Sequence, residues 1–293
     1  MTDSPASLTT SIPVDTRGIR DRRIPGLVIF SMIWMTMLVV LVVLQPVLPL
    51  PGPATPDYAA VRLTPLTDWV HPLGTDQLGR DILSRVISGA GVSLAVGVGS
   101  VLIALVLGTL IGTLAGYFGG GTDRALGWLI DILLAFPALI AMIAITTFLG
   151  PSLVTLIVAL GVVSLPMVAR VARSAARTYA QRDFVQAAKA MGTSEARIVT
   201  RDILPNIAIT VLSFGITLVA IAIAAEGALS FLGLGVPPPQ ASWGGMMNEG
   251  RAQLRNAPWI VMIPAVVMCV TLLAINFIAD WLGRGSDTRG SHV

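Results

Sequence analysis

Three long stretches of this 293-residue chain contain no charged side chain: residues 24–56, 86–122 and 132–169. In a hydrocarbon core roughly 30 Å thick, a crossing helix needs about 20 predominantly apolar residues, so each stretch is long enough to span a membrane. Residues 27–48 form the first predicted span, and a second falls near 92–116. The third stretch is too long for one crossing and is interrupted by Gly150-Pro151-Ser152, which predicts helices at about 126–148 and 152–170 joined by a tight turn. Residues 207–230 are apolar except for Glu226, and residues 258–281 end on Asp280. The expected fold is therefore all-α and polytopic, with six transmembrane helices. Composition agrees. Charged residues make up 12% of the chain, against about 25% in soluble domains, and mean hydropathy is +0.81. Soluble globular and disordered classes are excluded, and a single cysteine, Cys269, permits no intramolecular disulfide.

The first apolar run is longer than the roughly 7–15 residues of a signal-peptide core, and Gln45-Pro46 follows it in place of a small-residue cleavage site. It is expected to remain as a signal anchor. The net charge of +3 and the pI near 9.6 are explained by orientation. With the N-terminus inside, fourteen of the 19 basic residues face the cytoplasm. They are Arg17, Arg20, Arg22 and Arg23 in the N-terminal tail; Arg124; seven from Arg170 to Arg201; and Arg284 and Arg289 in the C-terminal tail. Arg62, Arg80, Arg85, Arg251 and Arg255 remain outside. This bias predicts two cytoplasmic termini. The expected organisation is a tail over 1–24, disordered over 1–16; a first helix with its outer loop over 25–91; a core of five helices over 92–283 with an inner loop over 171–206; and a tail over 284–293.

Within the second span, Ser100, Ala104, Gly108, Gly112 and Gly116 recur every four residues and line one face of a helix. Small residues at this spacing allow a neighbouring backbone to approach closely, either within the chain or in a partner subunit. Pro137 is expected to kink the third span. Glu226, the one acid inside an apolar run, must find a partner or line a pathway, because a central charge costs about 2.5–3.5 kcal/mol in a bilayer. The outer segment 231–257, with Pro237-Pro238-Pro239 and Trp243, is expected to be either a packed cap or an outer gate.

The inner loop holds the most local signal. Asp183 followed by Gln186 predicts a capping box. Phe184, Ala187, Ala188 and Met191 then share a helical face, and Gly192 provides a left-handed stop. Thr193 or Ser194 starts a second short helix, with Glu195 in its first turn and Pro205 ending it by biasing Leu204 away from helix. An amphipathic module outside the membrane must cover its apolar face with its own bundle or with a soluble partner. A DNA-binding helix-turn-helix is disfavoured: both ends are tied to membrane spans and no third helix completes such a domain.

Gln186-Ala187-Ala188, Gly192 and Ile203-Leu204-Pro205 resemble the EAA signature of bacterial ABC importer permeases, with Gln for the leading Glu and Ile203 directly before Leu204. The stretch from His71-Pro72-Leu73-Gly74-Thr75-Asp76 to Gln77-Leu78-Gly79-Arg80-Asp81 is similar to the outer-loop motif of the C-type subunit in the dipeptide, oligopeptide and nickel permease family. The same holds for Glu226 to Gly235 and for Gln240-Ala241-Ser242-Trp243-Gly244. The likeness covers about residues 20–285. It implies a type I ABC importer permease fold in a bacterial cell membrane, surrounded by lipid. It further implies a second, B-type permease, one or two cytoplasmic ABC ATPases that use ATP and Mg, and an extracytoplasmic peptide-binding protein that delivers a di- or oligopeptide. The residues Asp183, Phe184, Gln186, Ala187, Ala188, Met191, Gly192, Leu204 and Pro205 would then form the ATPase-coupling loop. Glu226, Trp243 and Pro137 would be pathway or outer-gate residues.

The chain itself has no G-x-x-x-x-G-K-[ST] string, and Gly119-Gly120-Gly121 reads as a turn, so ATP hydrolysis is expected from partner chains. With two histidines and one cysteine, no metal site or resident cofactor is expected, and nucleic acid is not an expected partner. Nickel-chelate, glutathione or sugar cargo fits the same architecture. An ion-coupled secondary transporter is a more distant alternative and a membrane-anchored regulator is more distant still.

Overall fold

The computed structural model describes residues 25–287, with side chains as far as Gly283. The arginines expected in the N-terminal tail, Arg289 and the side chain of Arg284 lie outside the described residues. Helix α1 (Gly26–Leu44) is uniformly apolar and runs into a 3-10 turn at Gln45–Val47. Helix α2 (Ile82–Phe118) begins ten residues before its predicted start, because the Asp81 carboxylate accepts the Ser84 N–H at 2.7 Å and caps it. Its 37 residues make a rod about 55 Å long, well beyond the hydrocarbon thickness. Gly119, at φ +63°, ends α2 and turns the chain directly into α3 (Gly120–Ala135).

The third span is broken rather than kinked. Helix α3 stops at Ala135, Phe136 is extended, and α4 (Ala138–Leu149) restarts from Pro137 at 84° to α3. Proline withholds an N–H and disfavours helix in the preceding residue, so the ladder breaks at Phe136. Gly150 (φ +80°) and the Ser152 cap make the predicted tight turn into α5 (Leu153–Ala180). Helix α5 continues ten residues past the predicted end of its span, so the inner segment opens with helix over residues 171–180. Ala172 and Ala176 keep it packed on α2 while its arginines point away.

Two short helices follow, α6 (Asp183–Ala190) and α7 (Glu195–Arg197). Pro205 does not stop the chain. A π-helical segment at Ile198–Ile203 leads straight into α8 (Leu204–Phe231), giving one continuous helix from Glu195 to Phe231. The wider turn resolves the proline problem: Leu204 N–H bonds five residues back to Val199 O, so the ladder is already re-registered where Pro205 has no donor to offer. The outer segment contains α9 (Trp243–Gly250), and α10 (Trp259–Asp287) is the last element among the described residues.

Among the described residues, five helices are long and apolar enough to cross a membrane, and the bent α3–α4 pair supplies the sixth crossing if counted as one span. The seam between α2 and α5 forms the centre. The stripe from Ser100 to Gly116 is buried against α5. A Cβ on Gly108 would lie 2.8 Å from Leu165 O, and one on Gly112 would strike Ala169 O and reach 2.9 Å from Ala172 Cβ. This small-residue row is therefore an intrachain seam, held by dispersion where the hydrophobic effect gives nothing. Helix α1 is tied to α10 by a hydrogen bond from Trp34 Nε1 to Thr271 Oγ1 at 3.1 Å.

Candidate functional site

Helix α6 sits at one end of the bundle, between the ends of α2, α5 and the Glu195–Phe231 helix. The capping box is absent. Arg182 occupies the N-cap position with no side-chain bond, Asp183 is the first helical residue, and Gln186 Nε2 donates to Ala180 O at 3.0 Å. Only Gln181 and Arg182 separate α5 from α6, so Gln186 lies over the last carbonyls of α5, which need donors. Asp183 still favours the positive end of the helix dipole. The stop is as expected: Gly192 has φ +78°, its N–H bonds Lys189 O, and Thr193 N–H bonds Ala188 O, both at 3.0 Å. These two bonds form a Schellman motif.

The expected apolar face is largely uncovered. Phe184 is 45% exposed and Met191 78%, Ala187 is exposed too, and Ala188 is half-buried. The residue that anchors α6 is Val185, which the sequence reading passed over. It is fully buried with Tyr117, Ala172, Ala176, Ile198, Ile203 and Ile207. Leu204 packs half-buried on the same cluster, whereas Pro205 is exposed on the first turn of α8.

Tyr117, in the last turn of α2, ties these pieces together. Its hydroxyl donates to Glu195, and the Lys189 ammonium stands 4.7 Å from its ring centroid, a cation–π contact across α6. An aromatic at the end of a span was the available signal for this residue. The result is a short helix fixed to three membrane helices on one side and presenting Phe184, Ala187 and Met191 on the other.

At the opposite end, Glu226 is fully buried. Ser93 Oγ of α2 donates to Oε2 at 2.8 Å, and Ser230 Oγ donates to Oε1 at 2.6 Å. Both oxygens are thus satisfied within the chain, which meets the cost of placing a carboxyl among apolar helices. Trp243 is also enclosed. Its Nε1 donates to Val86 O at 3.1 Å and its ring lies against Gly89, one turn before Ser93. A Cβ on Gly244 would strike Gly227 O, so α9 sits directly on α8 and is a packed cap. The structure therefore brings Glu226 and Trp243 together on successive turns of α2, with neither side chain facing an open channel in this conformation. Pro137 stands apart on the exposed bend between α3 and α4.

The outer loop before α2 adds a charged cluster that the sequence reading did not connect. Asp76 accepts the N–H groups of Leu78 and Arg80 at 2.8 and 3.0 Å, and its other oxygen accepts Arg80 Nε at 2.6 Å. Arg80 and Arg85 both donate to Glu249 of α9, Arg85 at 2.9 Å. Asp81 also accepts His71 Nδ1 at 3.1 Å. Gly74 and Gly79 have φ +77° and +76°, and a Cβ on either would strike loop backbone, at Leu63 O and Asp57 O. The His71–Asp81 stretch is thus a tight loop that fastens α9 to α2 by a three-way ionic contact. The signal for it was the presence of opposite charges in both outer segments of a charge-poor chain.

The profile of the family described as binding-protein-dependent transport system inner membrane component matches residues 108–289. The glutathione transport system permease protein GsiD of Pectobacterium atrosepticum is 36% identical over 219 residues, covering 75% of this chain and 73% of that protein. The dipeptide transport system permease protein DppC of Alkalihalophilus pseudofirmus is 39% identical over 224 residues, covering 75% and 72%. In fold, the chain is similar to an inward-facing conformation of the MetNI methionine ABC transporter, with a TM-score of 0.58 at 19% identity, over 69% of this chain and 95% of that one. With its membrane helices, its α6 module and these likenesses, the chain belongs to the family of binding-protein-dependent transport system inner membrane components and is a permease subunit of an ABC importer.

Proposed function

We propose that this chain is the C-type permease of an importer for di- or oligopeptides. A second, B-type permease completes the pathway, and an extracytoplasmic binding protein delivers the peptide. One or two separate ABC ATPases bind and hydrolyse ATP with Mg, and this chain contributes no catalytic group. The chain lies in a bacterial cell membrane with both termini in the cytoplasm. Residues 1–24 and 284–293 are its tails, residues 25–91 its first helix and outer loop, and residues 92–283 its permease core.

The observation that carries this reading is the uncovered face of α6. A helix with one side anchored through Val185 and the other presenting Phe184, Ala187 and Met191 suits a groove on a soluble protein. Docked there, α6 would follow ATPase closure as a rigid body, with Asp183, Gln186, Ala188 and Gly192 keeping it in register. It would pull on α5 and on the helix containing Leu204 and Pro205. Glutathione, itself a peptide, is the second cargo reading, favoured by the relative named for its transport.

The test is uptake into proteoliposomes that contain the permease pair and its ATPases, with binding protein added. ATP should drive accumulation of a labelled dipeptide, with glutathione as the competing cargo. Uptake driven by an ion gradient with no ATP would overturn the proposal.

A further inference from the structure

The last three turns of α5 line a cavity of about 410 Å³ on the side of the bundle that also carries α6. Its walls are Arg170, Arg173, Ser174, Arg177, Thr178 and Gln181, all polar. Asp131 of α3 pairs with Arg170 at 3.1 Å, with both side chains more than half exposed, and Asp123 pairs with Arg173 at 2.5 Å. The Arg173 guanidinium lies flat on α3 because residue 127 is glycine: a Cβ there would come within 3.3 Å of both terminal nitrogens. Arg177 makes no direct ion pair among the described residues, although its charge reaches Asp123, so three cations face two acids and the cavity is net positive.

Two further observations set its depth and neighbourhood. The exposed side of α3 leading away from the cavity, past Asp131, is apolar, through Ile132 and, just beyond the end of the helix, Phe136. Trp128, one turn from Asp131 on α3, is 71% exposed, and exposed tryptophan is typical of the membrane–water interface. A cationic pocket at interfacial depth, continuous with an apolar strip, matches an amphiphile with an anionic head.

We propose that this cavity binds the phosphodiester headgroup of an anionic phospholipid, with Arg177 and Arg170 on the phosphate and the acyl chains along the apolar side of α3. The proposal rests on the membrane-spanning architecture and is independent of the cargo. It therefore stands or falls separately from the peptide-import reading.

The experiment uses the intact importer in nanodiscs of phosphatidylcholine with and without phosphatidylglycerol. Bound lipid is read by native mass spectrometry and stability by melting temperature. Phosphatidylglycerol should be retained and should raise the melting temperature, and phosphatidylcholine should do neither. Arg177→Gln, which breaks no ion pair, should lower phosphatidylglycerol occupancy about fivefold, and Arg170→Gln with Arg177→Gln about twenty-five-fold. Arg177→Lys should recover most of the loss. Occupancy unchanged in the double variant overturns the proposal. So does an assembled complex that retains no lipid, because the second permease would then cover the cavity. Stabilisation by soluble glycerophosphate or inorganic phosphate without lipid retention would replace the lipid with a free phosphate.

Discussion

Replacing Gly112 by alanine adds one methyl group at the most crowded point of the α2–α5 seam. The new carbon would stand 2.9 Å from Ala172 Cβ and 2.9 Å from Arg173 N, and closer still to Ala169 O. An ordinary contact needs about 3.4 Å or more, so the two helices must separate by about an ångström at the Ala169 carbonyl or bend. Backbone atoms cannot rotate away as a side-chain end can. Overpacking of this kind costs about 1–3 kcal/mol. At about 2–4 °C per kcal/mol for a chain of this size, a central cost of about 2 kcal/mol lowers the melting temperature by about 4–8 °C. Gly121→Ala is the matched control, since no atom lies within 4 Å of its Cβ position. It should be neutral or slightly stabilising. The assay is fluorescence-detected size exclusion of detergent-solubilised protein after a heating series, with and without the second permease. The loss should appear in both samples, because the seam lies inside this chain. A Gly112→Ala variant melting within a degree of the parent would refute the packing argument. A loss confined to the complex would make the seam intermolecular.

Two further sites give testable outcomes. Phe184→Asp should leave the permease folded but weaken ATPase co-purification about tenfold or more, since burying a phenyl ring contributes about 1.5–3 kcal/mol. Val185→Asp, one residue along, should fail to fold; full transport by Phe184→Asp would remove α6 as the docking element. Glu249→Gln should lower stability by about 2 kcal/mol, below the roughly 3–5 for a fully buried pair because the Glu249 side chain is 25% exposed. Glu249→Asp should recover part of this, and an unchanged melting temperature in Glu249→Gln would show that α9 is held by packing alone.

The spans were legible because exclusion of charge from hydrocarbon acts on every residue of a crossing helix, whatever its neighbours. Gly192 was legible for a local reason, since a left-handed stop depends on that residue's own backbone. The two prolines were not. Pro137 and Pro205 carry the same local penalty, but one breaks a helix and the other is carried through a π turn. Pro205 follows a π segment that has already shifted the hydrogen-bond register, whereas Pro137 follows an extended residue, and neither string shows this in advance. The capping box failed for a similar reason: Gln186 found carbonyls at the end of α5 that the string Asp183-Phe184-Val185-Gln186 does not reveal. The Arg80–Glu249 contact joins residues 169 apart, and only the folded chain brings them together.

The uninterrupted helix from Glu195 to Phe231 gives the molecule a lever. Roughly 30 residue steps at about 1.5 Å separate Glu195, which receives the Tyr117 hydroxyl, from Glu226, so the arm is about 45 Å long. A tilt of about 5° at one end moves the other by about 4 Å, more than a hydrogen bond can stretch. Of the two hydroxyls on Glu226, Ser230 travels on the same arm, whereas Ser93 stays behind on α2. Tilting the arm therefore unlatches one oxygen of a buried carboxyl and keeps the other fastened. The Ser93–Glu226 bond thereby becomes a position gauge for events at the far end of the membrane.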